Sequence, residues 1–388
     1  MTLVVDRAGD GPRVHALVIG VGAYRHLPGG GEPVTHDTLG LRQLTGPPLS
    51  ARAVADWLAT SLRHPRAALG TIELLTSPGA PDAAPDGAAP PAPSRASVDV
   101  PTMAAVAAAF EAWYARCDTH EDNVAVFYFC GHGVERESPF LLLEDFARSP
   151  LALLENALDI GQTYQGMARC RAREQYFFVD ACREIPFQLL QLLSGNARVL
   201  VTPQAVGDQR RDTALVYATS GGAKAYGRPG RPTRFTEALL RALDGLGGRL
   251  DGAGWVVDVS SLQRAVTLLL GSGAGGAPVQ VPSVRGAGLG VLHTMPHAPL
   301  VPVSLACRPA AAVQAGAPRL SPLAALPGAV RHAAIPSLVA SATGWSVEVP
   351  ADIYTLSVDF PGGGYASVQK SIAALPPGVY DEPVEVQP

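Results

Sequence analysis

Two stretches constrain this chain more than anything else in it. Asn123 to Cys130 contains Val-Ala-Val-Phe-Tyr-Phe-Cys, and Gln175 to Ala181 contains Tyr-Phe-Phe-Val-Asp. Neither run alternates between apolar and polar residues. A strand of that kind must be covered on both faces, which is the condition of a parallel sheet between helices. Shorter runs of the same character occupy residues 14–19, 71–75 and 214–219. Between them lie helical spacings: Val54, Trp57, Leu58 and Leu62; Met103, Val106, Phe110, Trp113 and Tyr114; Phe235, Leu239, Leu243 and Leu246; Leu262, Val266 and Leu269. Strands alternating with helices predict an α/β fold with a mostly parallel sheet flanked by helices. With 388 residues there is room for two domains. After Gly271 the pattern changes. Tyr354, Leu356, Val358 and Phe360 alternate with Ile353, Thr355 and Ser357, so residues 300–388 read as a small all-β, sandwich-like antiparallel domain. The expected division is 1–295 and 300–388, with a flexible Pro- and Ala-rich insertion over 77–101.

Composition narrows the function classes. Thirty basic and 34 acidic residues give a formal charge of −4, which argues against a protein held on nucleic acid by phosphate neutralisation. No apolar run reaches the roughly 18–20 residues that span a bilayer. Residues 1–13 lack the basic and apolar regions of a secretory signal. The five cysteines, Cys117, Cys130, Cys170, Cys182 and Cys307, are widely spaced and form no CxxC pair. A disulfide framework or zinc site is not expected, and a reducing cytoplasm is.

The two strongest strands end in reactive residues. One runs into Gly131-His132-Gly133, the other into Asp180-Ala181-Cys182-Arg183. In open α/β sheets ligands bind beyond the carboxyl ends of the strands. Neighbouring strands would set His132 beside Cys182, a thiol nucleophile with an imidazole able to manage its proton. The N–H groups of Gly133 and Cys182 would suit an oxyanion hole. Gly20-Val21-Gly22 lacks the third glycine of a dinucleotide fingerprint, since Arg25 stands there.

A cysteine preceded by alanine, with a histidine about 50 residues upstream, is a known protease pattern. With Ala16 to Val21 and Tyr24, Phe127 to Gly133, Phe177 to Arg183, Ala218 to Gly222 and Arg234 to Leu240, the chain resembles the caspase-like cysteine peptidases, the clan of caspases, metacaspases and their bacterial relatives. The resemblance covers residues 12–290. It implies a cysteine endopeptidase with a His132–Cys182 dyad and no cofactor. Caspases carry glutamine two residues before the cysteine and cut after aspartate; this chain carries Asp180 there. In metacaspase-like members an acid at that place lies in the S1 pocket, so the resemblance implies cleavage after Arg, then Lys, with help from Ser220. The second acid of metacaspases is replaced by Leu49-Ser50-Ala51, and Glu144 and Asp145 are too few for the calcium site many of them have, so no metal is expected. Family members are often cut between the two halves of the domain. Arg210 and Arg211, in the polar segment after the nucleophile, are candidate self-cleavage points.

The implied partners are a protein or peptide substrate with a basic P1 residue and an activating protein or effector, with neither nucleic acid nor membrane. Bacterial relatives act in regulated proteolysis, including defence-linked cell suicide. Two other readings stay open: a catalytically silent scaffold, and a binding module working through residues 300–388.

Overall fold

The computed structural model describes the chain except residues 1, 8, 35–37, 79–97, 150, 185–196, 205–210, 224, 226–228, 253, 272–279, 287–289, 325–334 and 388. Most of the expected 77–101 insertion lies outside the described residues, as does Arg210. The chain divides into two compact units. The first comprises Met1–Leu240 and Leu269–Gly290; the second comprises Arg241–Leu268 and Val291–Pro388.

The first unit is built on a seven-stranded sheet. Its strands are β1 (Leu3–Asp6), β2 (Arg13–Gly20), β3 (Ala68–Thr76), β4 (Val124–Cys130), β8 (Glu174–Asp180), β9 (Asp212–Tyr217) and an edge strand, Ser283–Arg285. Across the sheet the order is β1-β3-β2-β4-β8-β9 and then Ser283–Arg285. The five inner strands are parallel. Both edge strands are antiparallel to their neighbours. Every residue of β4 and β8 is buried, as their unbroken apolar character requires.

Successive side chains point to opposite faces of a strand, so each face has its own core. On one face Leu17, Ile19, Phe127, Phe129, Phe177 and Val179 pack with α2 (Met103–Cys117). Trp113 of α2 is fully buried, lies 6.4 Å from Phe127 and 6.2 Å from Phe177, and donates its Nε1–H to the His15 carbonyl at 2.9 Å. The other face is covered by α1 (Gly46–Thr60), which buries Ala51, Val54, Trp57 and Leu58. Gly20 of β2 is needed there, because a Cβ would stand 2.6 Å from the Pro47 carbonyl oxygen. A helix beginning at Arg234 also lies on this face, its Thr236 hydroxyl 2.6 Å from Tyr128 Oη.

Three short strands, β5 (Gly133–Glu135), β6 (Pro139–Leu142) and β7 (Ala157–Asp159), form a small antiparallel sheet just beyond β4. α3 (Ile160–Gly166) follows directly. Its N-cap is Asp159, which accepts the Gln162 N–H at 2.8 Å.

The second unit holds a three-stranded antiparallel sheet made of Arg249–Asp251, Gly254–Asp258 and Val291–Met295. It also holds a four-stranded and a three-stranded sheet from residues 300–385. Strand Leu300–Arg308 buries every second residue, Val301, Val303, Leu305 and Cys307. Strand Asp352–Asp359 does the same with Tyr354, Leu356 and Val358, and Phe360 follows. One departure from the antiparallel expectation is the pairing of Leu300–Arg308 with Val379–Glu385, which is parallel. The helix expected over Phe235–Leu246 is α-helical only to Arg241 and closes in a π-type turn over Ala242–Leu246. Gly245 bends it there with φ 137°, a conformation open to glycine.

Candidate active site

β4 and β8 are hydrogen-bonded parallel neighbours in register, Cys130 opposite Asp180. The residues two positions on, His132 and Cys182, therefore leave the sheet at the same level of the same rim. The approach is close. A Cβ on Gly133 would stand 2.7 Å from the Cys182 carbonyl oxygen and 2.9 Å from Ala181 Cβ, so glycine alone fits. The Leu142 N–H bonds the His132 carbonyl at 3.0 Å, while Gly133 faces Leu141. Gly133 thus occupies a non-hydrogen-bonded place of the β5–β6 ladder, where N–H and C=O point away from the paired strand.

His132 is held at three points. Its backbone N–H donates to Tyr24 Oη at 2.6 Å. Its ring lies 4.8 Å from the Tyr24 ring. Its Nε2 is 2.7 Å from the Arg42 carbonyl oxygen. A carbonyl oxygen only accepts, so Nε2 carries the ring hydrogen and Nδ1 is left as the basic atom. Burial pushes the imidazole below its usual pKa, and the Arg42 carbonyl opposes this by favouring the charged ring. Tyr24 is fully buried, and burial drives its phenol far upward, so it stays a neutral hydroxyl.

Cys182 is the partly exposed cysteine of the five; Cys117, Cys130, Cys170 and Cys307 are buried. Its Sγ accepts the Ala225 backbone N–H at 3.2 Å and lies 3.7 Å from the Ala225 carbonyl oxygen.

Asp180 is 2% exposed. Its Oδ2 accepts the hydroxyl of Thr233, and that of Thr236 at 2.7 Å; Oδ1 has no partner among the described residues. Burial pushes the carboxyl up, and the two threonine hydroxyls pull it partway back. Ser220 is turned elsewhere, its hydroxyl donating to the Val281 carbonyl at 3.2 Å. Arg211 donates to the carbonyls of Cys170 at 2.6 Å and Ala172 at 3.1 Å, one residue before β9 begins.

Glu144 and Asp145 have other work. Asp145 accepts the Met103 N–H at the start of α2, at 2.9 Å. Glu144 pairs with Arg25 at 3.1 Å and accepts the Ser77 hydroxyl at 3.0 Å. Among the described residues no group of three or more His, Cys, Asp or Glu side chains is placed to hold a metal ion. Among them, too, no helix is long and apolar enough to cross a membrane.

Several residues around this rim carry no warning in the sequence. Arg42 contributes only a backbone carbonyl, which no side-chain pattern reports. Ala225 acts through its backbone as well. Thr233 and Thr236 do carry a signal, a hydroxyl three residues apart at a helix start, where Thr233 Oγ1 also accepts the Thr236 N–H at 3.2 Å.

The family model described as "Caspase domain" matches residues 13–285. The chain belongs to the caspase-domain family. The matching model is that of a peptidase family. This caspase-domain chain is 29% identical over 236 residues to an uncharacterized protein, y4kE, of Sinorhizobium fredii, across 56% of this chain and 66% of that one. It is 30% identical over 133 residues to a probable protease of a Desulfuromonadales bacterium, across 31% of this chain and 15% of that one. It thus spans under two thirds of the length of either relative. Among solved structures it is similar to caspase-1 of Spodoptera frugiperda, with TM-score 0.43, 12% identity, and coverage of 73% of this chain and 89% of that one. It is also similar to a Geobacter sulfurreducens protein, GSU0716, with TM-score 0.43, 15% identity, and coverage of 71% and 94%.

Proposed function

We propose that this chain is a cysteine endopeptidase that cuts after basic residues, arginine before lysine. Cys182 attacks the scissile carbonyl. His132, through Nδ1, takes the thiol proton and returns it to the leaving amine. The N–H groups of Gly133 and Cys182 hold the oxyanion. The observation that carries the reading is the register of β4 with β8, which brings the two strand ends together with Gly133 pressed against the Cys182 carbonyl.

Asp180 receives the P1 cation. A buried carboxylate is best compensated by a paired charge, and its Oδ1 is unpartnered among the described residues. At 2% exposure the carboxylate has no open path. The cation therefore meets it only once its cover, the Thr233–Thr236 helix start, yields. Ser220 assists in the same reading only after giving up its bond to the Val281 carbonyl, and Arg210 or Arg211 serves as a self-cleavage point. The part from residue 300 to 388 docks a substrate or an activating partner, and the setting is regulated proteolysis in the cytoplasm, including defence.

The test uses fluorogenic peptides ending in Arg, Lys or Asp, with the full chain and its Cys182→Ala, His132→Ala and Asp180→Asn variants. Arg cleavage is expected to exceed Lys cleavage and to vanish in Cys182→Ala. Asp180→Asn is expected to lower Arg cleavage at least tenfold while the chain stays folded. Activity that persists in Cys182→Ala overturns the reading, and so does an Arg preference that survives Asp180→Asn.

A further inference from the structure

The two strand ends stay joined beyond the residues assigned to chemistry. Val134 bridges Glu184 in parallel, and the Glu135 N–H donates to the Glu184 carbonyl at 2.8 Å. Between these backbones runs an ion pair, Arg183 Nη2 to Glu135 Oε1 at 2.7 Å. Glu135 is three residues past His132, and Arg183 is one past Cys182. The Arg183 side chain is 7% exposed and that of Glu135 14%.

Arg183 is fixed on further sides. Nη1 donates to Ser283 Oγ at 3.1 Å. The guanidinium carbon sits 4.4 Å above the Tyr217 ring. The Arg183 N–H donates to the Ala223 carbonyl at 3.0 Å, and its own carbonyl accepts the Gly222 N–H at 2.8 Å. The side chain and backbone of this one residue tie β5, β9, the edge strand Ser283–Arg285 and the segment over the thiol to the position after Cys182.

Stability alone does not account for such a pair. Buried ion pairs are often no better than apolar replacements of equal volume. This one also leaves Arg183 Nε, Tyr217 Oη and Thr219 Oγ1 buried without a hydrogen-bond partner among the described residues. What the pair does supply is a directional link of fixed length between the strand carrying the imidazole and the strand carrying the sulfur.

We infer that the Glu135–Arg183 ion pair is the positioning device that sets the spacing of His132 and Cys182, with both residues acting through their neighbours and touching no substrate. The inference rests on the dyad reading above and deepens it. Misplacing reacting groups by about 1 Å costs on the order of 100-fold in rate. Breaking the link therefore lowers kcat and leaves KM nearly unchanged.

The experiment measures kcat and KM on an Arg peptide, and separately the pH profile of Cys182 alkylation by iodoacetamide in the folded chain. The other four cysteines are buried, so native alkylation reads Cys182. The variants are Glu135→Gln, Arg183→Lys and His132→Ala. Glu135→Gln is expected to lower kcat about 10- to 100-fold with KM within threefold, and to shift the alkylation profile toward that of a solitary thiol near pH 8.5. Arg183→Lys keeps the charge without the fork and is expected to fall between. If Glu135→Gln does not fold, the double variant Glu135→Leu/Arg183→Met removes both charges together and carries the same prediction. A His132→Ala profile that differs from the parent, alongside a Glu135→Gln profile and kcat that match it, overturns the brace and leaves the dyad standing. A His132→Ala profile identical to the parent overturns the dyad, and the brace with it.

Discussion

Gly133 shows how little room one residue leaves. Its neighbours across the gap are the Cys182 carbonyl and the Ala181 Cβ, neither of which is the end of a flexible side chain. Gly133→Ala must therefore push β5 away from the Cys182 turn. Overpacking of this kind costs about 1–3 kcal/mol, to be read from urea unfolding. The displacement is expected to lower kcat at least tenfold while Asp180 and its threonines stay untouched. Thr233 offers the opposite case. Thr233→Val keeps the shape and removes one donor to a buried carboxylate and one helix cap. Loss of a hydrogen bond to a charged group is worth about 1.5–3 kcal/mol, so a drop of that order in unfolding free energy is expected from urea unfolding.

At the scale of elements, α2 is anchored by one side chain. Trp113 sits among Phe110, Phe127 and Phe177 and reaches the His15 carbonyl. Trp113→Ala is expected to destabilise the chain by about 3–5 kcal/mol in chemical denaturation. Trp113→Phe keeps the ring contacts but gives up the hydrogen bond. The elements also divide cleanly into those the sequence reveals and those it does not. β4 and β8 were legible because seven buried residues in a row admit no other placement. β5, β6 and β7 are three or four residues long, too short to show any period. The parallel pairing of Leu300–Arg308 with Val379–Glu385 was hidden because alternation has the same period in either direction. In the sequence the π-type turn at Ala242–Leu246 looks like helix, because Leu243 and Leu246 keep helical spacing while Gly245 breaks the backbone. His132 and Cys182 were visible as strand ends. The Glu135–Arg183 pair was not, since nothing in the sequence shows which carboxylate a lone arginine will meet.

For the molecule as a whole, protons and folding are linked through His15. It is buried between Thr71, whose Oγ1 lies 2.9 Å from Nδ1, and the charges of Arg13 and Arg116. Burial first, then those two cations, lower its pKa from 6.5 to about 4. Above pH 6.5 the ring is neutral in both folded and unfolded chains, and the fold has its full stability. Between pH 6.5 and 4 the unfolded chain binds the proton more tightly, so stability falls as pH falls and levels off below 4. The loss approaches about 3 kcal/mol. His132, also shifted downward by burial, adds a loss of the same sign. Denaturation midpoints measured from pH 7.5 to 4 are expected to drop, and His15→Gln is expected to flatten part of that slope.

The strand order carries a consequence for synthesis. β3 joins one side of β2, next to β1, while on the other side β4, β8 and β9 are added in chain order, each outside the one before it, and Ser283–Arg285 comes last. From β4 onward the sheet can therefore grow on that side in the order in which the ribosome delivers it. In that part of the chain the newest strand is the open edge. From Cys130 until Glu174 emerges, that edge is Val-Ala-Val-Phe-Tyr-Phe-Cys, bare of its neighbour. A nascent chain stalled in that interval exposes an unpaired apolar strand edge, an aggregation-prone surface.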